Sequence, residues 1–559
     1  MNGVLIEQGN IALGAKDSFD GFASEIPDYV SLNSVEQDIM PLNYGNPCEL
    51  YRTVLDGSFQ PIMEDETGEI QSDMGYVSVQ SSDADGQFLK PIEIWFSASK
   101  YFSSIGLTFK FDIYNEIFPK NIKVEWYRNS ELLKSVNYEP NSSTVFCREK
   151  VELYNMVKLI VYDLNMPLNR FRLFGIQYGF IVTLHAENVR SVSVNQSISP
   201  TSTEVPIDTI SYVIETNENM DLIYEENQPV KVFFNDELIQ MVYIKKARRK
   251  SKYNWVVDAE DAIRILDKKT FYGDFYKNAR ITDVLNQVFS DTNVEYELAD
   301  ELKNETLTGY IEYGTCRAAL QQIAFSVGAT VITAGRENVL ITKPATAVAQ
   351  KIPLSRIRQG QNFEKDAVVT AIEITIHGYE MGAEEIQLFD ADSGGTGRFV
   401  LVQFQQPIHD LRIENGDIIE SGTNYAIIDS YGSCKLFGKT YIHTQSIKRI
   451  TNDLVDASAA ENVLKIGNAT LINSENVDKV LRSCYNEFIN LNTINLGIIE
   501  SVQYNDSEDE YNKDEAAVVG DVVSCETEYY GDVVGRITKQ SFNLAGNIKI
   551  KNSSLKGSF

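Results

Sequence analysis

The segment 308–343 constrains the fold more than any other part of the chain, because it signals both ends of a helix and the hairpin that follows it. Thr315 occupies the N-cap position, where its hydroxyl can accept a hydrogen bond from a free backbone N–H, and Gly328 occupies the left-handed C-cap position. Beyond Gly328, β-branched residues in 329–333 and 339–342 flank a loop containing a glycine, which predicts a β-hairpin. The helix between the caps has one apolar face with the i, i+3, i+4 spacing, formed by Cys316, Ala319, Leu320, Ile323, Ala324 and Val327. The segment predicts a capped helix packed on a hairpin, and it contains no catalytic pattern.

Length and charge limit the class of protein. A chain of 559 residues predicts roughly three to four domains, each with its own core. The 79 Asp and Glu residues outnumber the 50 Lys and Arg residues, which gives a formal net charge of −29. This charge repels nucleic acid and anionic membranes, so we predict no nucleic-acid partner.

One basic cluster, Lys245–Lys252, stands out against the acidic background. It lies between two runs with strand character, 229–244 and 253–257, so it is either a solvated hairpin tip or a phosphate-binding patch. We favour the hairpin tip, because charge runs at turns are usually solvated.

The six cysteines are widely separated and include no C-x-x-C pair, which argues against a disulfide framework and against a zinc ribbon. Cys316 and Cys484 fall on the apolar faces of predicted helices, where a free thiol acts as a small hydrophobe. This pattern predicts folding in a reducing cytoplasm. No secretory signal is expected at the N-terminus, and no apolar run reaches the roughly 18 residues that a membrane span needs.

The predicted fold class is mainly β and multidomain (α+β), with a few helices. Residues 1–90 form an acidic, turn-rich segment, and residues 91–190 contain strand signals at the short intervals typical of a β-sandwich. Strict alternation places Ile122, Val124 and Trp126 on one face of a strand.

Residues 191–345 and 346–559 form the other predicted domains. The first begins with a polar stretch, 195–203, interpreted as a connecting strand or linker. Strands follow, then a short helix capped by Asp258, a helix from Ala279, and the helix with its hairpin. The last domain is predicted to be mainly β with two helices, at 455–466 and 477–488, and an acidic solvated loop at 505–515.

Three separate parts of the chain resemble one family, the tail-tip or baseplate proteins of bacteriophages and phage-derived particles from Gram-positive hosts. The string GY…GTCRAALQQIAFSVGA within 308–343 is similar to a segment of that family that also precedes a hairpin. Segments 48–59 and 75–88 are similar to its first segment, although Tyr51-Arg52 departs from the usual opening. Segment 165–172 is similar to the end of its N-terminal sandwich. The resemblance implies a discoidin-like or carbohydrate-binding-like β-sandwich followed by hub-like β-barrel domains with inserted helices.

Patterns that suggest chemistry fail on spacing. Residues 432–440 have five residues between the two glycines where a phosphate loop needs four, so we predict a hairpin there. Asp390–Gly395 and Asp83–Gly86 lack the ligand positions of a calcium loop, so both are predicted to be turns. The four histidines, His185, His377, His409 and His443, match no zinc or triad motif. We therefore predict no catalytic residues, no metal site and no cofactor.

Two tryptophans and one tyrosine could stack on a sugar. Trp126 shares its face with Ile122 and Val124, which favours core packing, whereas Tyr127 points the opposite way and is the stronger surface candidate; Trp95 also remains possible. Tyr127 is the one candidate ligand-binding residue.

The leading hypothesis is a non-enzymatic structural protein of a phage tail or tail-like particle, such as a contractile injection system, at the distal tube end or baseplate. The resemblance implies a homo-oligomer, as a trimer or hexamer ring, with other tail tube and baseplate proteins as partners. It also implies a location in the particle after synthesis in the host bacterial cytoplasm. The alternatives are a monomeric adhesin that binds cell-surface glycan and, from the abundance of carboxylates alone, an envelope hydrolase.

Overall fold

The computed structural model describes residues 4–12, 15–23, 76–112, 115–215, 227–290, 292–365, 367–391, 396–455, 460–488, 492–501, 517–544 and 548–557. The chain forms two compact units, of which one comprises residues 7–183 and 218–228, and the other comprises residues 1–6, 184–217 and 229–559. Strands predominate throughout, so the predicted class, mainly β and multidomain, is confirmed.

The elements up to residue 215 are one short helix and fourteen strands: β1 Val4–Ile11, α1 Ala15–Ser18, β2 Phe19–Ala23, β3 Tyr76–Ser81, β4 Gln87–Ser104, β5 Leu107–Lys110, β6 Ile122–Arg128, β7 Glu131–Tyr138, β8 Thr144–Cys147, β9 Val151–Asp163, β10 Arg170–Leu173, β11 Gly175–Gln177, β12 Gly179–His185, β13 Val189–Ser197 and β14 Thr209–Glu215.

The remaining elements up to residue 365 alternate short strands with helices: β15 Pro229–Phe234, β16 Glu237–Arg249, β17 Asn254–Glu260, α2 Ala262–Lys268, β18 Thr270–Phe271, β19 Asp274–Arg280, α3 Ile281–Phe289, β20 Tyr296–Leu298, β21 Thr306–Ile311, β22 Gly314–Thr315, α4 Cys316–Val327, β23 Thr330–Ile332, β24 Val339–Thr342, β25 Val348–Ile352 and β26 Asn362–Lys365, with short 3-10 turns at Asp300–Leu302 and Leu354–Arg356.

The C-terminal part contains the longest strands of the described chain: β27 Ala371–Ala391, β28 Thr396–Gln403, β29 Ile408–Ser421, β30 Tyr425–Thr451, β31 Val463–Ile466, α5 Val477–Phe488, β32 Asn492–Ser501, β33 Val522–Thr527, β34 Gly531–Leu544 and β35 Ile548–Gly557. None of the helices in the described ranges is long and apolar enough to span a bilayer.

The unit around residues 7–183 is built from packed sheets. One sheet has the strand order β2-β4-β9-β6-β7, another has the order β11-β5-β8, and β10 pairs with β3. Alternating residues from these strands enclose a single core. Trp126 is 0% exposed in this core, which confirms its predicted packing role.

The larger unit contains an extended sheet in which the order β15-β16-β17-β14-β13-β34-β35-β32-β26 can be followed from neighbour to neighbour. The predicted polar connecting segment therefore begins within strand β13. Residues 245–249 of the basic cluster continue strand β16, and 250–252 form the tip before β17. Lys245 and Arg248 form ion pairs with Glu260 (2.5 Å) and Asp258 (2.8 Å) across that hairpin. The hairpin is therefore as predicted, but its tip holds only the last part of the cluster; the lysines and arginines of the cluster are exposed.

The segment 308–343 folds as its sequence predicts. Thr315 Oγ1 accepts a hydrogen bond from the Ala318 backbone N–H (3.2 Å), and Gly328 adopts a left-handed conformation with φ 64°. Strands β23 and β24 form the hairpin, and β20 pairs with β24 in parallel. The apolar face of α4 packs with α2 and α3 into one core.

The sequence did not reveal the second buried face of α4. Phe325 is 1% exposed and packs in another core with Val477, Leu481 and Cys484 of helix α5. Gln322 is also buried, and its carboxamide bonds to the Asn468 carbonyl (3.0 Å) and the Thr470 N–H (3.0 Å). Helix α4 thus joins the helical core to the segment leading into α5.

Three local predictions are corrected. The helix predicted at 455–466 is absent from the described part of that interval, which instead holds strand β31 paired in parallel with β27. The helix α2 is capped by Asp261, whose Oδ1 accepts from the Ile263 N–H, whereas Asp258 lies within β17. Residues 432–440 are not a hairpin, because they continue strand β30, which pairs with β27 and β29 on its two sides.

Candidate functional site

The predicted surface residue Tyr127 lies on the outer face of the five-stranded sheet. Its side chain is partly buried, its hydroxyl donates to Glu125 Oε2 (2.6 Å), and its ring centroid lies 6.0 Å from that of Trp95. Burial and the hydrogen bond to Glu125 raise the pKa of Tyr127 to about 12, so the phenol stays protonated at neutral pH. The face therefore carries two partly exposed aromatic rings, whereas the Glu125 carboxylate beside Tyr127 is buried and also pairs with Lys123 (2.6 Å).

Lys158 lies over one of these rings, that of Trp95. The Lys158 Nζ lies 4.4 Å from the Trp95 ring centroid and 2.9 Å from the Glu93 carboxylate. A cation held over an aromatic face is itself a favourable contact, so a sugar ring that stacks there must displace it. Tyr127 carries no such cation contact in the described structure, and it stays a prediction as a ligand-binding residue.

Strands β27 to β31 form one sheet, with the order β28-β30-β27-β31 and β29 paired to β30, called here the long sheet. Two of the four histidines, distant in sequence, meet in this sheet. His377 on β27 and His443 on β30 are joined by a 2.9 Å contact between His377 Nδ1 and His443 Nε2. His377 Nε2 lies 3.1 Å from the Gly467 carbonyl, and Tyr379 stacks on His443 with centroids 4.4 Å apart. The other two histidines do not join this group: His409 packs edge-on against Tyr441.

The hydrogen bonds of His377 assign its role. A carbonyl oxygen only accepts, so Nε2 of His377 carries the proton, and Nδ1 accepts from the N–H of His443. Burial lowers the pKa of His377, because the protonated ring is poorly solvated. Both ring nitrogens of His377 are thus occupied by hydrogen bonds within the protein, to His443 and to the Gly467 carbonyl.

A buried pair of carboxyl groups is the other titratable cluster that sequence reasoning missed. Asp208 and Asp261 are 3% and 0% exposed, and both contact the Thr333 hydroxyl, at 3.1 and 2.7 Å. Gln240 Nε2 donates to Asp208 Oδ2 (2.8 Å), and the Ser197 N–H donates to Asp208 Oδ1 (2.8 Å). The hydroxyl has one hydrogen and cannot donate to both carboxylates, so a proton on one carboxyl group completes the network.

The position of this pair explains its electrostatics. Burial raises the pKa of Asp208 to about 6, and burial together with the Asp208 charge raises the pKa of Asp261 well above its usual range. Both side chains are used to join the start of α2, strand β16 and the hairpin of 329–342. We assign the pair to structure, because hydrogen bonds from the surrounding protein occupy it and neither residue is accessible.

The remaining sequence-predicted motifs hold no ligand geometry. Asp83 Oδ1 accepts from the Asp85 and Gln87 N–H groups, which is the hydrogen bonding of a turn. The loop after Asp390 and the acidic loop 505–515 lie outside the described residues, as do segment 48–59 and Gly75. Across the ranges that the structure describes, three or more His, Cys, Asp or Glu side chains never gather in a way that could hold a metal ion.

No sequence signal could have found the histidine and carboxyl pairs. Their partners are 66 and 53 positions apart by residue number, and strand register or helix packing brings them together. The alternation of β27 and β30 indicates which residues share a face, but not which strands become neighbours.

No family model matches the chain, and no curated protein matches it. Among solved structures, the chain is similar to the 43 kDa tail protein of prophage MuSo2 from Shewanella oneidensis, with 10% identity, a TM-score of 0.41, and coverage of 67% of this chain and 94% of that one. It is also similar to the tail protein from Neisseria meningitidis MC58 (12% identity, TM-score 0.41, 66% and 92% covered). The prophage tail protein gp18 from Listeria monocytogenes EGD-e is a third (10% identity, TM-score 0.37, 66% and 91% covered). These values describe a partial backbone similarity to proteins that are each described as a tail protein.

Proposed function

We propose that the chain is a non-enzymatic structural component of a phage tail or tail-like particle, at the distal tube end or baseplate. The observation that carries the proposal is the helix and hairpin at 308–343. Its sequence resembles a tail-tip segment, and both of its caps form as that sequence requires. In this proposal, residues 191–345 and 346–559 assemble around the tail axis, while residues 91–190 contact baseplate or receptor-binding parts.

Assembly into a ring is supported by the surface of the long strands. Phe399 on β28 is 74% exposed, and Met381 on β27 and Ile447 on β30 are each 66% exposed. These side chains lie on three strands of one sheet, spread along β30, and each strand leaves a large apolar side chain open to contact with another protein. We propose that a second copy of this chain covers part of this surface in a trimer or hexamer.

The location is tested on particles. The density of a tagged chain should map to the tail tip in purified particles and be missing from particles that lack its gene. Tagged particles without extra density at the tip, or intact particles assembled without the gene, would contradict the proposed location.

Oligomerisation is tested separately by native mass spectrometry. Phe399→Ser should shift the purified chain from a ring toward a monomer. Leu354→Ser is the matched control, because Leu354 is also exposed (43%) but lies away from the long sheet. A wild-type chain that stays monomeric at high concentration, or equal effects of the two variants, would remove the ring from the proposal.

The Trp95 and Tyr127 pair favours a second candidate, a glycan-binding adhesin. Sugar rings stack on accessible aromatic faces, and the side chains of Trp95 and Tyr127 are both partly exposed. Tyr127→Ala should then weaken binding to host cell-wall glycan by about tenfold, whereas Tyr127→Phe keeps the ring and should retain most of it. A chain that binds no cell-wall glycan would exclude this candidate.

A further inference from the structure

The extended sheet of the larger unit carries a cleft of about 570 Å³ that none of the roles above uses. Its lining comes from strands β13, β34, β35 and β32, together with Gly360, Asn362 and Ile207. Strand register sets the polar side chains side by side: Asn195 is opposite Ser541, and Ser541 is opposite Asn552. The volume lies in the range of sites for small ligands, which is roughly 300–1,000 Å³.

The chemistry of the cleft follows from strand alternation. In β13, Val194 is buried while Asn195 is exposed, and in β34 Phe542 is buried while Ser541 faces outward. The outward set is mostly carboxamides and hydroxyls. None of the described residues that line the cleft is Asp or Glu, although acids greatly outnumber bases in the whole chain.

Part of this polar surface is already fixed by internal hydrogen bonds. Asn495 and Asn362 both donate to Glu364 Oε1, at 3.1 and 2.9 Å, and the Ser554 hydroxyl donates to Asn495 Oδ1 (2.5 Å). These bonds hold one wall of the cleft in place. A fixed wall reduces the ordering cost of binding a ligand.

Another part of the surface is free. The side chains of Ser541, Asn552 and Lys539 form no hydrogen bond or ion pair with any described residue. Lys539 is the only cation among the described residues that line the cleft. The free set therefore combines a carboxamide, a hydroxyl and one positive charge.

We propose that this cleft binds an acidic oligosaccharide. The Asn552 carboxamide can donate to one sugar hydroxyl and accept from the adjacent sugar hydroxyl. The Ser541 hydroxyl can donate to or accept from one further sugar hydroxyl, and Lys539 pairs with the acidic group of the sugar. The inference is independent of the proposed role in a tail, and it concerns a different unit from Tyr127.

Other occupants fit the cleft less well. A single lysine in a chain of charge −29 cannot neutralise a nucleic-acid backbone. Docking of a second copy usually relies on aromatic or other large anchors, whereas the apolar side chains among the described lining residues are Ile207 and Leu496, and Leu496 is 3% exposed.

The proposal is tested by calorimetric titration of the full chain with tetragalacturonate, and with maltotetraose as the neutral probe. Saturable binding of tetragalacturonate is expected. Asn552→Ala should weaken it by about tenfold, and Lys539→Gln should weaken it by a similar factor without changing any residual binding of maltotetraose.

Lys246→Gln is the matched charge control, because Lys246 is an exposed lysine of the basic hairpin outside the cleft. It should leave the affinity for tetragalacturonate unchanged. Thermal melts of all three variants should match the wild type, because each replaces an outward side chain. Absence of saturable binding by the wild type would overturn the proposal, as would equal losses in Lys246→Gln and Lys539→Gln. A change in native mass with Asn552→Ala would assign the cleft to chain assembly instead.

Discussion

At the scale of single residues, burial of the Asp208 and Asp261 carboxyl groups costs free energy in the folded state. Burying two acids side by side is unfavourable unless one holds a proton. Thr333 and Gln240 supply hydrogen bonds that suit a pair sharing one proton. The pair therefore links the stability of the larger unit to pH.

The sign of this linkage is fixed by the raised pKa values. An acid whose pKa is higher in the folded state contributes stability fully below its unfolded pKa, near 3.9, and loses that stability as pH rises through the folded value. For Asp208 the folded value is about 6. The shift of roughly two units corresponds to a loss on the order of 3 kcal/mol by pH 8.

Asp261→Asn is expected to reduce the pH dependence of stability, because Asp261 also has a raised pKa in the folded chain and an asparagine does not titrate. The new carboxamide can still accept from the Ile263 N–H and can donate to Thr333, as the protonated acid would, so the pair no longer carries a second charge. Unfolding free energies measured at pH 5 and pH 8 should differ by about 1 to 3 kcal/mol less in the variant than in the wild type.

Asp258→Asn is the matched control, because Asp258 lies in neighbouring strand β17 and pairs with Arg248 at the surface. It should leave the difference between the two pH values unchanged. If Asp261→Asn and the wild type show the same pH dependence of stability, the hypothesis that Asp208 and Asp261 share one proton is wrong.

Sequence reasoning at this scale placed Trp126 correctly and placed the cap of α2 three positions early. Alternation within one strand was enough for Trp126, because it depends only on neighbours in the chain. Asp258 and Asp261 are equally good capping residues, and the choice between them depends on where strand β17 ends.

At the scale of elements, helix α4 shows what an amphipathic pattern contains and what it leaves out. The apolar pattern predicted the face of α4 that packs with α2 and α3, and the capping residues Thr315 and Gly328 predicted where the helix begins and ends. It did not predict that Phe325 would pack against α5, because an aromatic residue outside the stripe gives no indication of a partner far along the chain.

Phe325→Ala tests this second face. Removal of a buried ring should lower the free energy of unfolding by about 3 to 5 kcal/mol, measured by denaturant titration. Ala318→Ser, at an exposed position of the same helix, should change it by no more than about 0.5 kcal/mol. Equal, small effects of both substitutions would mean that the second face is not packed.

Elsewhere, periodicity failed where tertiary pairing decided the structure. The apolar spacing at 455–466 suits a helix, yet Val463–Ile466 pairs as a strand with the edge of β27. Short apolar runs are ambiguous between helix and strand, and an available sheet edge resolves the ambiguity by satisfying the backbone hydrogen bonds.

At the scale of the whole molecule, buried cysteines occur in both units, so their reactivity tests the packing of each unit. Cys147, Cys316, Cys434, Cys484 and Cys525 are buried free thiols. Cys48 lies outside the described residues.

A thiol titration checks this arrangement. The denatured chain should react with six equivalents of a thiol reagent, and the native chain should react rapidly with no more than Cys48, because the other five are shielded. Adding a reductant should not change the melting temperature. Rapid reaction of several native thiols, or a melting temperature lowered by reductant, would contradict the described fold.

The sequence by itself determined the mainly β class, the core role of Trp126 and the capped helix with its hairpin. Each of these depends on spacing, composition or capping within a short stretch of chain. Only the tertiary structure decided the His377 and His443 contact, the Asp208 and Asp261 pair, the second face of α4 and the cleft lined by Asn552 and Lys539. These features depend on which strands become neighbours and in what register, and long-range pairing leaves no periodic signal in a single sequence.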